Sequence, residues 1–281
     1  MPLTDTHAHV WSVDGPGMGW LNENRFRAIR RDYSIADLLA NMRVADVSDV
    51  VLVSSTTEVS ESESLLEIGS QHPAIAGVVG WVPLSTPTET AAGLQRLTGN
   101  EKLVGLRYLD GWEPDHGVLV DGRARESLQL LDGLDLTLDV QVPFASALAA
   151  CDAIASAAPN LTIVLDHMVS PVLHDRGAFD AWSRVVADLA TRTNVFVKLS
   201  GWTTRHDDVP LALIRPFVDV LMARFGSRRL MMGSNWPVSS MRAGYRTTMA
   251  WTAELVDELS ETEARCIGSE TAVSVYRRDK R

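Results

Sequence analysis

Cysteine is scarce in this chain, with two residues in 281, Cys151 and Cys266. They lie far apart and match neither a zinc-binding nor a redox spacing. The first residues lack the charged-then-apolar pattern of a signal peptide, and no apolar run approaches the roughly 18 residues that a membrane-spanning helix needs. We therefore expect a reduced, cytoplasmic protein that does not insert into a membrane.

Positive charge is also in short supply, because the formal net charge is -10. An acidic surface repels nucleic acids and anionic membranes, so neither is an expected partner. The chain has no Gly-x-Gly-x-x-Gly after a strand and no phosphate loop, which leaves nucleotide chemistry without support. These absences favour a small-molecule substrate.

Short apolar runs alternate along the chain with longer segments of helical period. Several runs are apolar throughout, which is typical of parallel strands buried on both faces. The predicted strands are Leu3–His9, Val50–Ser54, Gly77–Pro83, Leu103–Leu109, Leu136–Val142, Thr162–His167, Val195–Gly201 and Leu230–Asn235. The predicted helices are Ile35–Val44, Glu61–Gln71, Leu148–Ala157, Phe179–Thr191 and Leu211–Phe225.

Eight strand-then-helix units predict an α/β fold, a (β/α)8 TIM barrel. No linker, repeat or low-complexity segment divides the chain, so we expect one domain over residues 1–281. Active sites of such barrels lie at the carboxyl ends of the strands. Polar residues at those ends are therefore the candidates for catalysis.

Histidines occupy two of these strand ends. His7 and His9 close the first strand, where residues two apart face the same side, and His167 closes the sixth. Asn235 closes the eighth strand. Asp166 is next to His167 in the sequence, so in a strand it would point away from the site and serve as a structural hydrogen-bonding group.

Three charged residues on the middle strands are further candidates. Arg107 has a forked cation that suits a carboxylate or ring oxygen of a substrate, or else forms a salt bridge below the rim. Lys198 would hold substrate oxygen or stabilise an oxyanion; alternatively it pairs with Asp139 as a buried structural ion pair. Asp139 shares a face with Gln141 near the end of strand five.

Aromatic residues and a long loop suggest the walls of a pocket. Trp81, Trp112, Trp202 and Trp236 lie near strand ends, where they would line a sugar or ring pocket or pack at the barrel top. Residues 11–33 form an unusually long loop after the first strand, rich in Gly and Arg. Loops of this length are commonly lids, although an oligomer contact or a solvated basic turn would also explain it.

Five short motifs occur in an order that resembles the amidohydrolase-2 group of the amidohydrolase superfamily, closest to its sugar-acid and dicarboxylate lactonases, a fuconolactonase-like branch. The motifs are Asp5-Thr6-His7-Ala8-His9-Val10-Trp11, Val104-Gly105-Leu106-Arg107-Tyr108, Leu165-Asp166-His167-Met168, Lys198-Leu199-Ser200-Gly201 and Gly233-Ser234-Asn235-Trp236-Pro237-Val238. The resemblance implies a distorted TIM barrel. It also implies either one divalent metal, held by the first His pair, the strand-six His and a strand-eight Asp, or a metal-free site of the same residues.

Asn235 departs from this pattern, because many relatives have an acid there. A carboxamide is a weak ligand and accepts no proton at neutral pH, and a positioned base is typically worth about 10²- to 10⁴-fold in rate. An engineered inactivation, a natural branch with another base, or a barrel that only binds would each account for it. The expected substitute bases are His167 and Asp139.

The preferred mechanism is hydrolysis of a lactone, either a sugar-acid lactone or a carboxylated one. His7, His9 and His167 would hold a divalent ion, expected to be Zn²⁺, that polarises the carbonyl, unless the site works without metal. A decarboxylase of the same branch and a non-catalytic binding barrel are the alternatives. The acidic chain with its aromatic-rich rim is also compatible with a homodimer.

Overall fold

Eight parallel strands form one sheet in which each strand pairs with the next along the chain. The computed structural model describes residues 3–111, 117–202, 210–256 and 258–276. Trp112, one of the predicted pocket residues, falls outside them. The strands are β1 Leu3–Ala8, β2 Val47–Val53, β3 Ile75–Gly80, β4 Leu103–Leu109, β5 Thr137–Gln141, β6 Thr162–Leu165, β7 Val195–Leu199 and β8 Leu230–Met232.

Ten α-helices accompany these strands in the described part of the chain. They are α1 Ile35–Val44, α2 Val59–Gln71, α3 Pro87–Leu97, α4 Arg125–Leu131, α5 Phe144–Ala157, α6 Arg176–Leu189, α7 Leu211–Phe225, α8 Tyr245–Val256, α9 Glu261–Arg265 and α10 Thr271–Tyr276. None of the helices in this part is both long and apolar enough to cross a membrane.

The sheet closes on itself through the segment that follows β8. The backbone amide of Asn235 donates to the backbone carbonyl of His7 at 2.7 Å, and the backbone amide of His9 donates to that of Trp236 at 2.7 Å. The first and last strands therefore meet, and the predicted (β/α)8 barrel is confirmed. All eight predicted strands are present, and the bounds of α1 and α7 match those predicted.

The interior of the barrel is a distinct apolar cluster. Val51 and Val53 of β2 point inward with Val79, Val104, Val164 and Met231, while the alternate residue Leu52 belongs to the outer layer between sheet and helices. This alternation follows from the two-residue period of a strand. Tyr276 of the last helix completes the interior cluster.

Local sequence explains where the first helix begins. Ser34 accepts from the Asp37 amide at 3.2 Å, and the Asp37 carboxylate accepts from the Ser34 amide at 2.9 Å. This capping box satisfies two amide donors that would otherwise lack partners in the first turn. It starts α1 directly after residues 11–33, so the long loop is anchored at its far end.

Candidate active site

A cavity of about 650 Å³ lies at the carboxyl ends of the strands. Its walls come from strand ends, from the long loop and from the segment after β8. They comprise His9, Trp20, Arg25, Phe26, Ser55, Arg107, Leu109, Gln141, His167, Pro171, Val172, Asn235, Val238, Met241 and Arg242. The cavity thus stands where a TIM barrel places its active site.

Three histidines converge beneath and beside this cavity. The ring of His7 lies 4.9 Å from that of His9 and 4.7 Å from that of His167, centroid to centroid. All three are buried. Burial lowers the pKa of His7 well below its usual value and lowers that of His9 to about 3. Both rings are therefore neutral at physiological pH, the form that ligates a metal or accepts a hydrogen bond.

The partners of His9 define its tautomer. Nδ1 lies 2.7 Å from the carbonyl of Val53, which can only accept, so Nδ1 carries the proton. Nε2 is then an acceptor, and it lies 3.3 Å from Oδ1 of Asn235, which also only accepts. Exchanging the oxygen and nitrogen of the carboxamide, by half a rotation, would place its NH₂ group against Nε2. In that orientation Asn235 is a neutral donor to His9.

A left-handed turn follows β6, and the prediction that Asp166 points away from the site is wrong. His167, Met168, Val169 and Ser170 all have φ between 49° and 60°, a conformation that costs about 1–2 kcal/mol for each non-glycine residue. Val164 faces the barrel interior and Leu165 the outer layer, and Asp166 still has an extended backbone, so the two-residue alternation points Asp166 inward rather than away. The left-handed turn begins at His167 and brings that ring to the same side.

Asp166 is the centre of the charges below the cavity. Its carboxylate accepts from Arg107 Nε at 3.0 Å and lies 3.3 Å from His7 Nδ1 and 3.4 Å from Lys198 Nζ. Burial acts to raise its pKa, but the surrounding Lys198, His7 and Arg107 hold that pKa well below the ordinary value. Asp166 is thus an ionised carboxylate that lies against Nδ1 of His7.

Arg107 occupies the cavity floor in a fixed orientation. Beyond Asp166, it donates to the Ser54 carbonyl at 2.9 Å and to Gln141 Oε1 at 2.7 Å, and its NH2 group lies 3.4 Å from His7 Nε2. A guanidinium has five N–H groups, so one remains for a substrate. Arg107 forms the predicted buried salt bridge and also lines the cavity, while its binding of a substrate oxygen stays a prediction.

Lys198 and Asp139 do not meet the expectation that they touch substrate. Both are fully buried, neither lines the cavity, and Lys198 Nζ contacts Asp139 Oδ2 at 2.5 Å. Burial raises the pKa of Asp139. The alternative arrangement, a buried ion pair, is the one observed. Asp139 accordingly cannot act as the substitute base on a substrate in the cavity.

The three described tryptophans of the predicted pocket, Trp81, Trp202 and Trp236, pack into the barrel top instead. They are 5%, 2% and 3% exposed, and none lines the cavity. Trp236 lies with its ring centroid 5.2 Å from that of Tyr33. The aromatic wall is supplied by Trp20 and Phe26 of the long loop, whose rings are 4.7 Å apart.

Glu61 is a positioning residue that the sequence did not reveal. Its carboxylate accepts from the hydroxyls of Ser54 at 2.6 Å, Ser55 at 2.6 Å and Thr56 at 2.8 Å, and from the amides of Ser55 and Thr56. The loop after β2 is thereby fixed, and with it the Ser54 carbonyl that holds Arg107. The run of four hydroxyl residues that begins at Ser54 was the available signal in the sequence.

The donor atoms of His7, Asp166 and His167 fit a divalent metal ion. One donor atom from each of the three lies within 4.8 Å of the others. Oδ1 of Asp166 is buried and makes no hydrogen bond to the described residues, with the Lys198 ammonium 3.4 Å away, so this oxygen is available as a ligand to a cation. Two imidazoles and a carboxylate are a usual set for Zn²⁺. His9, predicted as a ligand from its spacing, is not part of this group.

Gly201 makes room for His167 and yields a direct prediction. A Cβ on Gly201 would lie 2.5 Å from Cγ of His167, and the glycine has φ of 79°. Gly201→Ala should displace the imidazole and lower kcat by about 10²-fold or more. Gly226→Ala is the control, because it has φ of 69° but nothing within 4 Å. Equal kcat losses in the two variants would show backbone strain rather than displacement of His167.

Comparison with known proteins agrees with this geometry. The sequence profile of the amidohydrolase family matches residues 4–278. The chain is 30% identical over 281 residues to L-fucono-1,5-lactonase of Burkholderia ambifaria, covering 98% of this chain and 96% of that protein.

Solved structures show the same architecture. The crystal structure of an amidohydrolase from Burkholderia multivorans with bound Zn superposes with a TM-score of 0.89 at 27% identity, covering 99% of this chain and all of the other. A 2,6-dihydroxybenzoate decarboxylase from Rhizobium, at 12% identity and a TM-score of 0.69 with 99% of each chain covered, shares the fold alone. The resemblance noted in the motifs is confirmed by the profile match: this chain belongs to the amidohydrolase family.

Proposed function

We propose that this protein hydrolyses a small cyclic ester, a lactone, in the cavity above His7, Asp166 and His167. The observation that carries the proposal is the convergence of His7, His9 and His167 with Arg107 at the carboxyl ends of the strands. The similarity to an L-fucono-1,5-lactonase over nearly the whole length supports it. The decarboxylase shares only the fold, so a lyase has less support.

The charge of the cavity favours a lactone that carries an anionic group. Arg25, Arg107 and Arg242 line the cavity, and no acidic side chain is among its lining residues in the described part of the chain. This contrasts with a net charge of -10 for the whole chain. The rim residues Arg25 and Arg242 are proposed to attract the anionic group, because both guanidinium groups line the cavity. A lactone with an additional carboxylate meets this requirement, whereas a simple sugar-acid lactone is neutral because its carboxyl group forms the ring ester.

The chain's own residues supply positioning and proton transfer. The remaining N–H of Arg107 would bind an oxygen of the lactone. Ser200 Oγ lies 2.9 Å from Nδ1 of His167, which leaves Nε2 of that ring for the reaction. With Asp139 buried below the cavity, His167 is the proposed base that takes a proton from water and returns it to the ring oxygen as the ester bond breaks.

His7, Asp166 and His167 are the proposed holders of a divalent cation, with Zn²⁺ the expected ion. When bound, such an ion supplies Lewis-acid polarisation of the carbonyl. His167 cannot use one nitrogen for both a cation and a proton, so the metal requirement separates two versions of the site. A cytoplasmic location and a homodimer are proposed from the sequence alone.

The test is proton release from a panel of aldonolactones and carboxylated lactones in weak buffer, with metal-free and Zn²⁺-loaded protein compared. Turnover supports a lactonase, and its dependence on Zn²⁺ decides the role of His167. Carbon dioxide release from aromatic acids is measured in parallel. Carbon dioxide release without lactone turnover would refute the proposal and indicate a lyase. No activity of the folded protein in either assay would indicate a barrel that binds ligands without catalysis.

The rim arginines make a prediction about specificity. Arg25→Gln and Arg242→Gln should each raise KM for a carboxylated lactone by about tenfold, the effect of one charge-assisted hydrogen bond, and leave KM for a neutral lactone unchanged. The ion pair between Arg25 and Glu23 is exposed, so it is too weak to prevent the guanidinium from binding a substrate. Arg27→Gln is the control, on the same short helix but outside the cavity wall. Equal effects on both lactones would refute the anionic substrate.

Asn235 yields a further prediction. It lines the cavity with φ of 53°, a conformation that Asp tolerates as well as Asn. Asn235→Asp would add a carboxylate base at the strand-eight position, and we expect kcat to rise at least about tenfold, part of the usual contribution of a positioned base. A fall in kcat would show that the natural reaction depends on the neutral donor to His9.

A further inference from the structure

The C-terminal helix α10 sends one side chain into the barrel from the end opposite the cavity. Tyr276 is buried in the interior cluster, in the same layer as Val104 and Val164. Its hydroxyl donates to Oδ2 of Asp139 at 2.8 Å, and burial raises the pKa of Tyr276 well above its ordinary value. The phenol is therefore a permanent hydrogen-bond donor within the barrel.

Tyr276 and Lys198 share one oxygen atom. Asp139 Oδ2 accepts from both Tyr276 and Lys198, and the Lys198 ammonium lies 5.5 Å from the centroid of the Tyr276 ring. Lys198 Nζ also lies 3.2 Å from Nδ1 of His7 and 3.4 Å from Oδ1 of Asp166. The position of this ammonium along the barrel axis is thus a balance between Asp139 on one side and the His7–Asp166 pair on the other.

We propose that Tyr276 is a positioning residue for the active site. It acts through Asp139 and Lys198 on the orientation and hydrogen bonding of His7, and the inference rests on the proposed lactonase function for its kinetic part. By donating to Oδ2, Tyr276 withdraws charge from the oxygen that attracts Lys198. The ammonium stays within reach of His7 and Asp166, and the charge on Asp166 remains balanced by Lys198 as well as by Arg107.

The matched pair of variants is Tyr276→Phe and Thr137→Val. Each removes one hydroxyl donor from the same carboxylate: Thr137 donates to Oδ1 at 3.0 Å, and Oδ1 is the oxygen that does not contact Lys198. Both replacements keep the shape of the side chain, and a merely structural role predicts similar losses of Tm and similar kinetics for both. A positioning role predicts that only Tyr276→Phe acts on His7.

For Tyr276→Phe we expect kcat on a turned-over lactone to fall about 10- to 100-fold, as for outer partners that orient a ligand, with KM within twofold of the original. Thr137→Val should change kcat less than threefold. The ¹⁵N chemical shifts of the His7 ring at one pH should move in Tyr276→Phe and stay in place in Thr137→Val.

The kinetic measurement and the ¹⁵N chemical shifts test the proposal independently. If no lactone is turned over, the proposed function fails, while the His7 shifts still decide whether Tyr276 orients that ring. Unmoved His7 shifts in Tyr276→Phe, or equal kcat losses in the two variants, would overturn the positioning role.

Discussion

His167→Gln should lower kcat on a lactone by about 10²- to 10⁴-fold, the usual contribution of a positioned acid or base. His167 lines the cavity, its Nδ1 is held by Ser200, and the ring lies beside His7. Glutamine keeps hydrogen-bonding capacity and approximate size but carries no proton between water and ring oxygen. Steady-state kinetics with circular dichroism of the folded protein is the measurement.

The control for this change is His174→Gln, the same substitution at an exposed histidine outside the cavity. It should leave kcat within twofold of the original. Normal turnover by His167→Gln would remove this residue from the mechanism and leave the reaction without an identified proton carrier.

Asp166→Asn should have the largest effect on stability. Arg107 and Lys198 would lose a buried counter-charge, and breaking a buried ion pair on one side typically costs about 3–5 kcal/mol of unfolding free energy. The remaining folded protein should lose about 10- to 100-fold in kcat, because His7 loses the charged carboxylate that lies against its Nδ1. Urea denaturation and kinetics measure the two effects separately.

The double variant Asp166→Asn with Lys198→Met separates charge balance from catalysis. One buried cation and one buried anion are then removed together, so part of the stability should return while kcat remains low. Asp180→Asn, at an exposed carboxylate, should change neither quantity. Recovery of kcat in the double variant would show that Asp166 only balances charge.

The barrel and the location of its site were predictable because both follow from short periods in the sequence. Alternation within strands placed His7 and His9 on one face, and the strand-end rule brought them to the same rim as His167 and Asn235. Asp166 was mispredicted because His167 was taken as the inward residue of β6. Alternation from Val164 points Asp166 inward, and a turn of four left-handed residues, which no glycine or asparagine marks, brings His167 to the same side.

The contacts that depend on distant segments were not predictable. Only the three-dimensional structure shows that Tyr276, near the end of the chain, shares Asp139 with Lys198. The prediction that tryptophans line the pocket was wrong for a related reason. Nearness to a strand end does not decide whether a ring faces the cavity or packs on a neighbouring ring. The conformation of the long loop decides it, because Trp20 and Phe26 line the cavity while Tyr33 packs on Trp236.

The most direct test of the central claim is oxygen incorporation in H₂¹⁸O. A carboxylated lactone is incubated with the protein under single-turnover conditions, and the product is examined by mass spectrometry. Hydrolysis at the His7–Asp166–His167 site predicts one ¹⁸O in the new carboxylate, formed at a rate that Gly201→Ala reduces by about 10²-fold. A product that has lost carbon dioxide, or one formed at the same rate by Gly201→Ala, would contradict it.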